Sequence, residues 1–315
     1  MSAPGMLDVS VVMPTWNRPR YLGASIDAVL AQDTPFREFI IADDGSDAAT
    51  RALLRTHAAR PGVQVLWHEH CGRPAAVRNA AIRQATGRYI AFADSDDVWN
   101  ASKLRQQVEA LRAHPECRWS FTSWSSIDEG GRALSAIPVP DYARISGQVH
   151  GPLLERLAKL SVSVALPSVL AERALLLEAG LFEESLTCYE DYDLWVRLAA
   201  LSGAAIVESP LVQVRWHDER LSRSSPLAHL QSRASYFGRA AGYVRHASRA
   251  GLRRLRALDE ARMASLAAQA GEADALRALH GSFAGGWSSP RWWLLAAQAH
   301  SQRWTRFARR ARVNA

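Results

Sequence analysis

Cysteine is scarce in this chain: three among 315 residues, Cys71, Cys117 and Cys188, an odd number without paired spacing. That excludes a disulfide framework and suits thiols kept reduced. No stretch approaches the roughly 18 uninterrupted apolar residues of a membrane-spanning helix. The opening residues Met1-Ser-Ala-Pro-Gly-Met6 lack the basic start and apolar block of a secretory signal. A cytoplasmic protein is the expectation. Lysine is almost missing, with only Lys103 and Lys159, so positive charge rests on arginine. No G-x-G-x-x-G follows the first strand-like run, which disfavours a redox dinucleotide fold.

What is present is enough for a sizeable core: 48% of the residues are hydrophobic. The charge is uneven. Residues 226–315 hold fifteen Arg and four acidic residues, a balance of +11 against +7 for the whole chain. An acidic body, 1–225, and a basic Arg/Trp-containing helical extension, 226–315, are therefore expected to be two regions with different tasks. The extension suits helix packing, a homo-oligomer contact, or peripheral membrane contact with anionic lipid at the inner face. Nucleic acid is not expected as a partner, because no recognition motif accompanies the charge.

Along the body, apolar runs at 9–13, 36–42, 63–67 and 89–93 alternate with helical periodicity at 21–32, 50–59 and 74–85. The pattern β-α-β-α-β-α-β predicts a mainly parallel sheet with crossover helices. In such sheets ligands lie beyond the carboxyl ends of the strands. Three of those ends are polar: Pro14-Thr15, Asp43-Asp44 and Asp94-Ser-Asp96. Further on, the pattern predicts a helix near 104–111, strands at 118–124, 164–170 and 212–217, and helices at 152–160 and 173–179. A loop over the cleft is expected at 132–150, and two or three helices at 228–280.

The acids after Tyr89–Ala93 are the most informative feature. Asp94, Asp96 and Asp97 crowd like charges at a strand tip, and a divalent cation with oxygen ligands relieves that repulsion. An acidic turn before a helix N-terminus would account for the same residues. Glu190, Asp191 and Asp193 likewise open a helix, where acids complement the macrodipole. Asp193 and Arg197, four apart, read as a helix-surface pair. His68-Glu-His70-Cys71 has zinc-like spacing but no partner cluster, so a loop contact beside a nucleotide is preferred. Cys188 has no neighbour that would activate its thiol.

Taken together and in order, Val12-Met-Pro-Thr-Trp-Asn-Arg18, Ile41-Ala-Asp-Asp-Gly-Ser46, Gly72–Asn79, Tyr89–Asp97, Glu190-Asp-Tyr-Asp-Leu-Trp195 and Trp216-His217 resemble the family 2 glycosyltransferases across about 8–225. The resemblance implies a GT-A fold, a Rossmann-like mixed α/β sheet flanked by helices. A nucleotide-binding half would occupy about 8–100 and an acceptor half 101–225. It implies inverting transfer of a sugar from a UDP- or dTDP-sugar to a saccharide or lipid-linked acceptor, assisted by Mn²⁺ or Mg²⁺. Pro14 and Thr15 would lie against the nucleotide, Asp43 and Asp44 would serve the base, and Asp94 the ribose. Arg78 is a further candidate for the nucleotide or diphosphate. Asp96 and His217 would serve the metal, Asp191 would be the catalytic base, and Glu190 and Trp99 would belong to the donor–acceptor region. The Gln-x-x-Arg-Trp signature of processive synthases is absent, so one sugar per encounter is implied. Ala81 departs mildly from a glycine common in the family. A sugar-nucleotide pyrophosphorylase or a silent nucleotide-sugar-binding protein are the alternatives; the first lacks its usual Gly-rich loop here.

Overall fold

The computed structural model describes residues 5–137, 139, 140, 142, 152–218, 226–270, 286 and 291–297. The chain forms two compact units, residues 1–185 with 190–218, and residues 186–189 with 219–315.

The first unit opens with β1 (Leu7–Thr15), α1 (Pro19–Leu30), β2 (Phe36–Asp43), α2 (Ala48–Ala58), β3 (Val63–Trp67), α3 (Pro74–Gln84) and β4 (Tyr89–Phe92). Each helix start has a local cause. Pro19 and Pro74 occupy the first helical turn, where a missing N–H costs nothing. Asp47 caps α2 by accepting from the Thr50 N–H at 2.8 Å. After β4 come β5 (Val98–Trp99), α4 (Lys103–Ala113), β6 (Cys117–Ile127), α5 (Pro152–Ala158), β7 (Val169–Glu172), α6 (Arg173–Glu178), α7 (Glu190–Leu201) and β8 (Gly203–Arg215).

The strands form one sheet in the order β3-β2-β1-β4-β7-β6-β8-β5. Pairings β1–β2, β1–β4, β2–β3 and β6–β8 are parallel; β4–β7, β6–β7 and β5–β8 are antiparallel. Val9, Val11, Val12, Met13, Ile40, Ile41, Ile90 and Phe92 are buried, the continuous apolar signature of strands covered on both faces. Trp195 of α7 closes the other half of the core, with ring centroids 5.8 Å from Phe92 and 6.0 Å from Trp119.

Several sequence expectations shift. The strand expected at 164–170 begins instead as a 3₁₀ turn, Leu166–Ser168, with Pro167 inside it; proline's missing N–H does not serve a ladder. β8 starts nine residues before the expected 212, because exposed Glu208-Ser-Pro210 interrupts the alternation that marks a strand. β5 is two residues long, too short for any period to show. Asp193 and Arg197 are not a surface pair: both are buried, joined through Nε at 3.0 Å and Nη2 at 2.7 Å, and Arg197 also donates to the Ala179 carbonyl. The helix turns this pair inward beside Leu194 and Trp195. Most of the loop expected at 132–150 lies outside the described residues, as do 271–280.

In the second unit, α8 (Pro226–Ala240) and α9 (His246–Ala270) are joined by a bidentate pair, half-buried Arg233 to buried Asp259, at 2.8 and 2.7 Å. Residues 186–189 belong to this unit: Thr187 Oγ1 lies 2.8 Å from Ser232 Oγ, and Tyr189 OH lies 2.5 Å from His229 Nε2. A turn of helix at 291–297 buries Trp292 against Ala257, Ala261 and Ala264 of α9.

Candidate active site

Because β3, β2, β1 and β4 run parallel and adjacent, their carboxyl ends share one edge of the sheet. Register places Thr15 beside Asp43, and Asp43 beside Trp67. Gly45 lets the turn after β2 approach the turn after β3. Its φ is +71°, and a Cβ there would stand 2.6 Å from the His70 amide nitrogen, a contact no side chain accepts.

The two acids of this turn divide the work. Asp43 is fully buried, accepting from the Ser46 N–H at 3.2 Å and from Arg51 Nε at 3.3 Å. It was expected, with Asp44, to serve a nucleobase; here no part of it reaches the surface, and its oxygens hold the turn together. Asp44 accepts from the Cys71 and Gly72 N–H groups at 2.9 and 3.0 Å, and His70 Nδ1 lies 3.1 Å from its Oδ2. Its own N–H donates to the Thr15 carbonyl at 2.9 Å. Pro14 lies within β1, opposite Ala42. The Thr15 hydroxyl is buried with no partner, a polar group still to be satisfied. Beside it the exposed Trp16 ring stacks on His70, centroids 4.5 Å apart. Sequence reasoning passed over Trp16, although its place at the tip of β1 was the available signal.

At the tip of β4, one guanidinium gathers three elements. Arg78 of α3 donates through Nη2 to Asp94 Oδ1 at 3.1 Å and through Nη1 to Glu190 Oε1 at 3.0 Å, while lying 5.6 Å from the Phe182 ring centroid. Burial works against its charge, and Asp94, Glu190 and Asp191 outweigh that, holding its pKa above the usual arginine value. Asp191 follows in the first turn of α7, its Oδ1 accepting the Tyr192 N–H at 2.8 Å. Burial, reinforced by the Glu190 charge, pushes the Asp191 carboxyl up to about 7, against the opposing pull of the Tyr192 N–H and Arg78. Asp94 is raised too, by burial and the charge of Asp96, with Arg78 opposing. A carboxylate poised near neutrality is what proton abstraction at physiological pH requires.

Beyond Asp94, the loop is tied down by β8. Asp97 accepts the Arg215 N–H at 2.8 Å, and Arg215 Nε donates to the Asp96 carbonyl at 2.9 Å. The same guanidinium reaches the carbonyls of Asp128 and Glu129, both at 3.1 Å. Asp97 is thus a tether, and the Asp96 side chain is turned elsewhere: its Oδ2 lies 3.0 Å from His217 Nε2. His217 is buried beside the Tyr21 ring, with centroids 4.9 Å apart, and its Nδ1 has no hydrogen-bond partner. Nothing local in Val212–His217 singles out Arg215; only the antiparallel pairing of β5 with β8 brings it to the acidic loop.

The structure does not bring Trp99 to the site. Trp99 belongs to the hydrophobic core, with its ring 3.9 Å from the Lys103 ammonium. It was expected in the donor–acceptor region, whereas β5 turns the indole inward against the sheet. Among the described residues, no group of three or more His, Cys, Asp or Glu side chains is arranged to hold a metal by itself.

Residues 10–129 match the model of "Glycosyl transferase family 2". An uncharacterized glycosyltransferase of Rickettsia bellii is 30% identical over 71% of this chain and 31% of its own length. A putative teichuronic acid biosynthesis glycosyltransferase, TuaG of Bacillus subtilis, is 37% identical over 40% of this chain and 50% of its own length. The chain therefore spans a third to a half of these relatives. In fold it is similar to S. aureus TarS 1–349, solved with UDP-GlcNAc: the TM-score is 0.68 at 16% identity, covering 94% of this chain and 89% of that one. With the strand-end acids already placed, residues 10–129 belong to the family 2 glycosyltransferases, and the chain has the GT-A fold.

Proposed function

We propose that the first unit transfers one sugar, with inversion, from a nucleotide-diphosphate sugar to an acceptor hydroxyl in the biosynthesis of a polysaccharide or other glycoconjugate. The observation that carries this reading is Arg78 bonding both Asp94 and Glu190: the acid tip of β4 and the first turn of α7 meet at one place. A donor group held at the first and a proton acceptor at the second are then neighbours, as a single in-line displacement requires.

In this reading Thr15 and Asp44 face the nucleoside, Trp16 flanks it, and Asp94 serves the ribose. Asp191 takes the acceptor hydroxyl's proton as the oxygen attacks the anomeric carbon from the face opposite the diphosphate. Asp96 and His217 form an oxygen-plus-imidazole pair that fits Mn²⁺, or Mg²⁺ with more water. The unpartnered Nδ1 of His217 is consistent with a site that is incomplete without a further group. Two protein donors leave most coordination positions to diphosphate oxygens and water. Such a cation would supply charge neutralisation to the departing diphosphate, which needs little protonation. The UDP-GlcNAc bound by TarS makes a uridine donor the first to try.

Calorimetric titration with UDP, dTDP and GDP, with and without Mn²⁺, tests the donor side. Metal-dependent binding that Asp96→Ala weakens at least about tenfold is expected. Equal affinity with and without Mn²⁺, unmoved by the substitution, counts against the assignment of Asp96. A saccharide or lipid-linked acceptor, presented at the inner face of a membrane on which the basic second unit rests, completes the reading. No helix of the described residues is long and apolar enough to cross a membrane.

A further inference from the structure

The family resemblance made Arg78 a candidate for the nucleotide or its diphosphate, and its surroundings point to a different task. The side chain is buried, and both terminal nitrogens are committed to carboxylates on other elements: Asp94 at the end of β4 and Glu190 at the start of α7. Phe182 lies against the guanidinium. Asn79, the next residue of α3, fixes the same chain segment from the other side. It donates to the Phe182 carbonyl at 2.9 Å and accepts the Phe182 N–H at 2.9 Å. The helix thus locks the approach to α7 with one residue and the site's acids with the next. An arginine so engaged would have to break two charge-assisted bonds to reach a phosphate, each stronger than a neutral hydrogen bond.

We propose that Arg78 is a positioning residue and not a diphosphate ligand: it clamps Asp94 at the tip of β4 to Glu190 at the start of α7, and so fixes the charged surroundings of Asp191, the next residue of that helix. The charged groups that act on Asp191 are Glu190 beside it on α7, Arg78 from α3 and Asp94 from β4. Two are acids that oppose its ionisation, and Arg78 is the cation that favours it. The neighbouring acid and the clamp therefore have opposite effects on one carboxylate, which gives the proposal a signed test. It rests on Asp191 being the base of the proposed transfer, but the first readout below does not depend on transfer.

The test uses the full chain labelled with ¹³C at the aspartate carboxyl carbon, with the Asp191 resonance assigned by its loss in Asp191→Asn. In the wild type this resonance should titrate near pH 7. In Arg78→Gln the midpoint should rise by about one pH unit or more, a tenfold or greater shift in the ionisation equilibrium. Arg78→Lys should restore most of it, and Glu190→Gln should lower it. Should Arg78→Gln fail to fold, Arg78→Met, which keeps the buried stem and removes the charge, carries the test. An Asp191 midpoint unmoved by loss of the Arg78 charge overturns the proposal.

The second readout is kinetic. With a donor in hand, Arg78→Gln should lower kcat at pH 7 and recover at pH 9, where Asp191 ionises without help. An unchanged kcat with a donor KM raised at least about tenfold at both pH values would instead identify a diphosphate ligand and overturn the proposal. A wild type that titrates as expected yet transfers no sugar would sink the proposed function and leave the clamp standing.

Discussion

Lys103 has a buried ammonium with no hydrogen-bond partner; its contact is the face of Trp99, 3.9 Å away. Cation–π attraction returns up to about 2 kcal/mol at a desolvated site, less than the cost of removing an unpaired ammonium from water. Burial accordingly holds its pKa well below the ordinary lysine value. The folded state binds the proton less readily than the unfolded one, so stability should climb as pH rises toward 10.5. Lys103→Met keeps the stem packed in the core and removes the charge. It should raise the Tm at pH 7 by about 2–4 °C, or about 1 kcal/mol, and flatten the dependence of Tm on pH between 7 and 10. A lower Tm across that range would show that the ammonium has a partner worth more than its desolvation. Nothing in the sequence marks Lys103 as buried; only the docking of α4 against β8 and β6 buries it. Asp191 illustrates the converse. Its place after Glu190 at a helix start was legible, but a carboxyl near neutrality follows from burial that no linear pattern reveals.

At the scale of elements, legibility followed period and length. β1 to β4 and α1 to α3 carry long, clean patterns closed by Pro, Asp and Gly, and they appear within about two residues of expectation. β5 and the first half of β8 do not, since a two-residue strand has no period and exposed Glu208-Ser-Pro210 disguises an edge of the sheet. Those two elements carry Arg215 to the acidic loop, so the tether of Asp96 and Asp97 was hidden along with them. The helix pair α8–α9 raises a separate point. Arg245, Arg253, Arg254 and Arg256 are exposed, and the pair's two acids, Asp259 and Glu260, are already engaged with Arg233 and Arg256. Trp293 and Leu294, beside exposed Arg291, are also open to solvent. These are the ingredients of an interfacial surface. The protein should co-sediment with phosphatidylglycerol vesicles at low salt and not with phosphatidylcholine vesicles. Release is expected as ionic strength shortens the Debye length below about 8 Å. Equal binding to both lipids would refute an electrostatic contact.

For the whole molecule, parallel strands place their polar ends on one edge, and the mixed remainder of the sheet supplies what that edge lacks. β4 brings Asp94 and Asp96, β8 ends at Arg215 just before His217, and α7 starts with Glu190 and Asp191. The central claim is that this convergence serves proton abstraction by Asp191 opposite a diphosphate leaving group. Its most direct test is the transfer rate of Asp191→Asn, set beside its nucleotide affinity, with the donor chosen by a panel of nucleotide sugars. The wild-type rate should rise with pH through about 7 as Asp191 loses its proton. The variant should bind nucleotide within about twofold of wild type while losing about 10²–10⁴-fold in rate. A variant that turns over at the wild-type rate, with the same rise through neutral pH, would contradict the account.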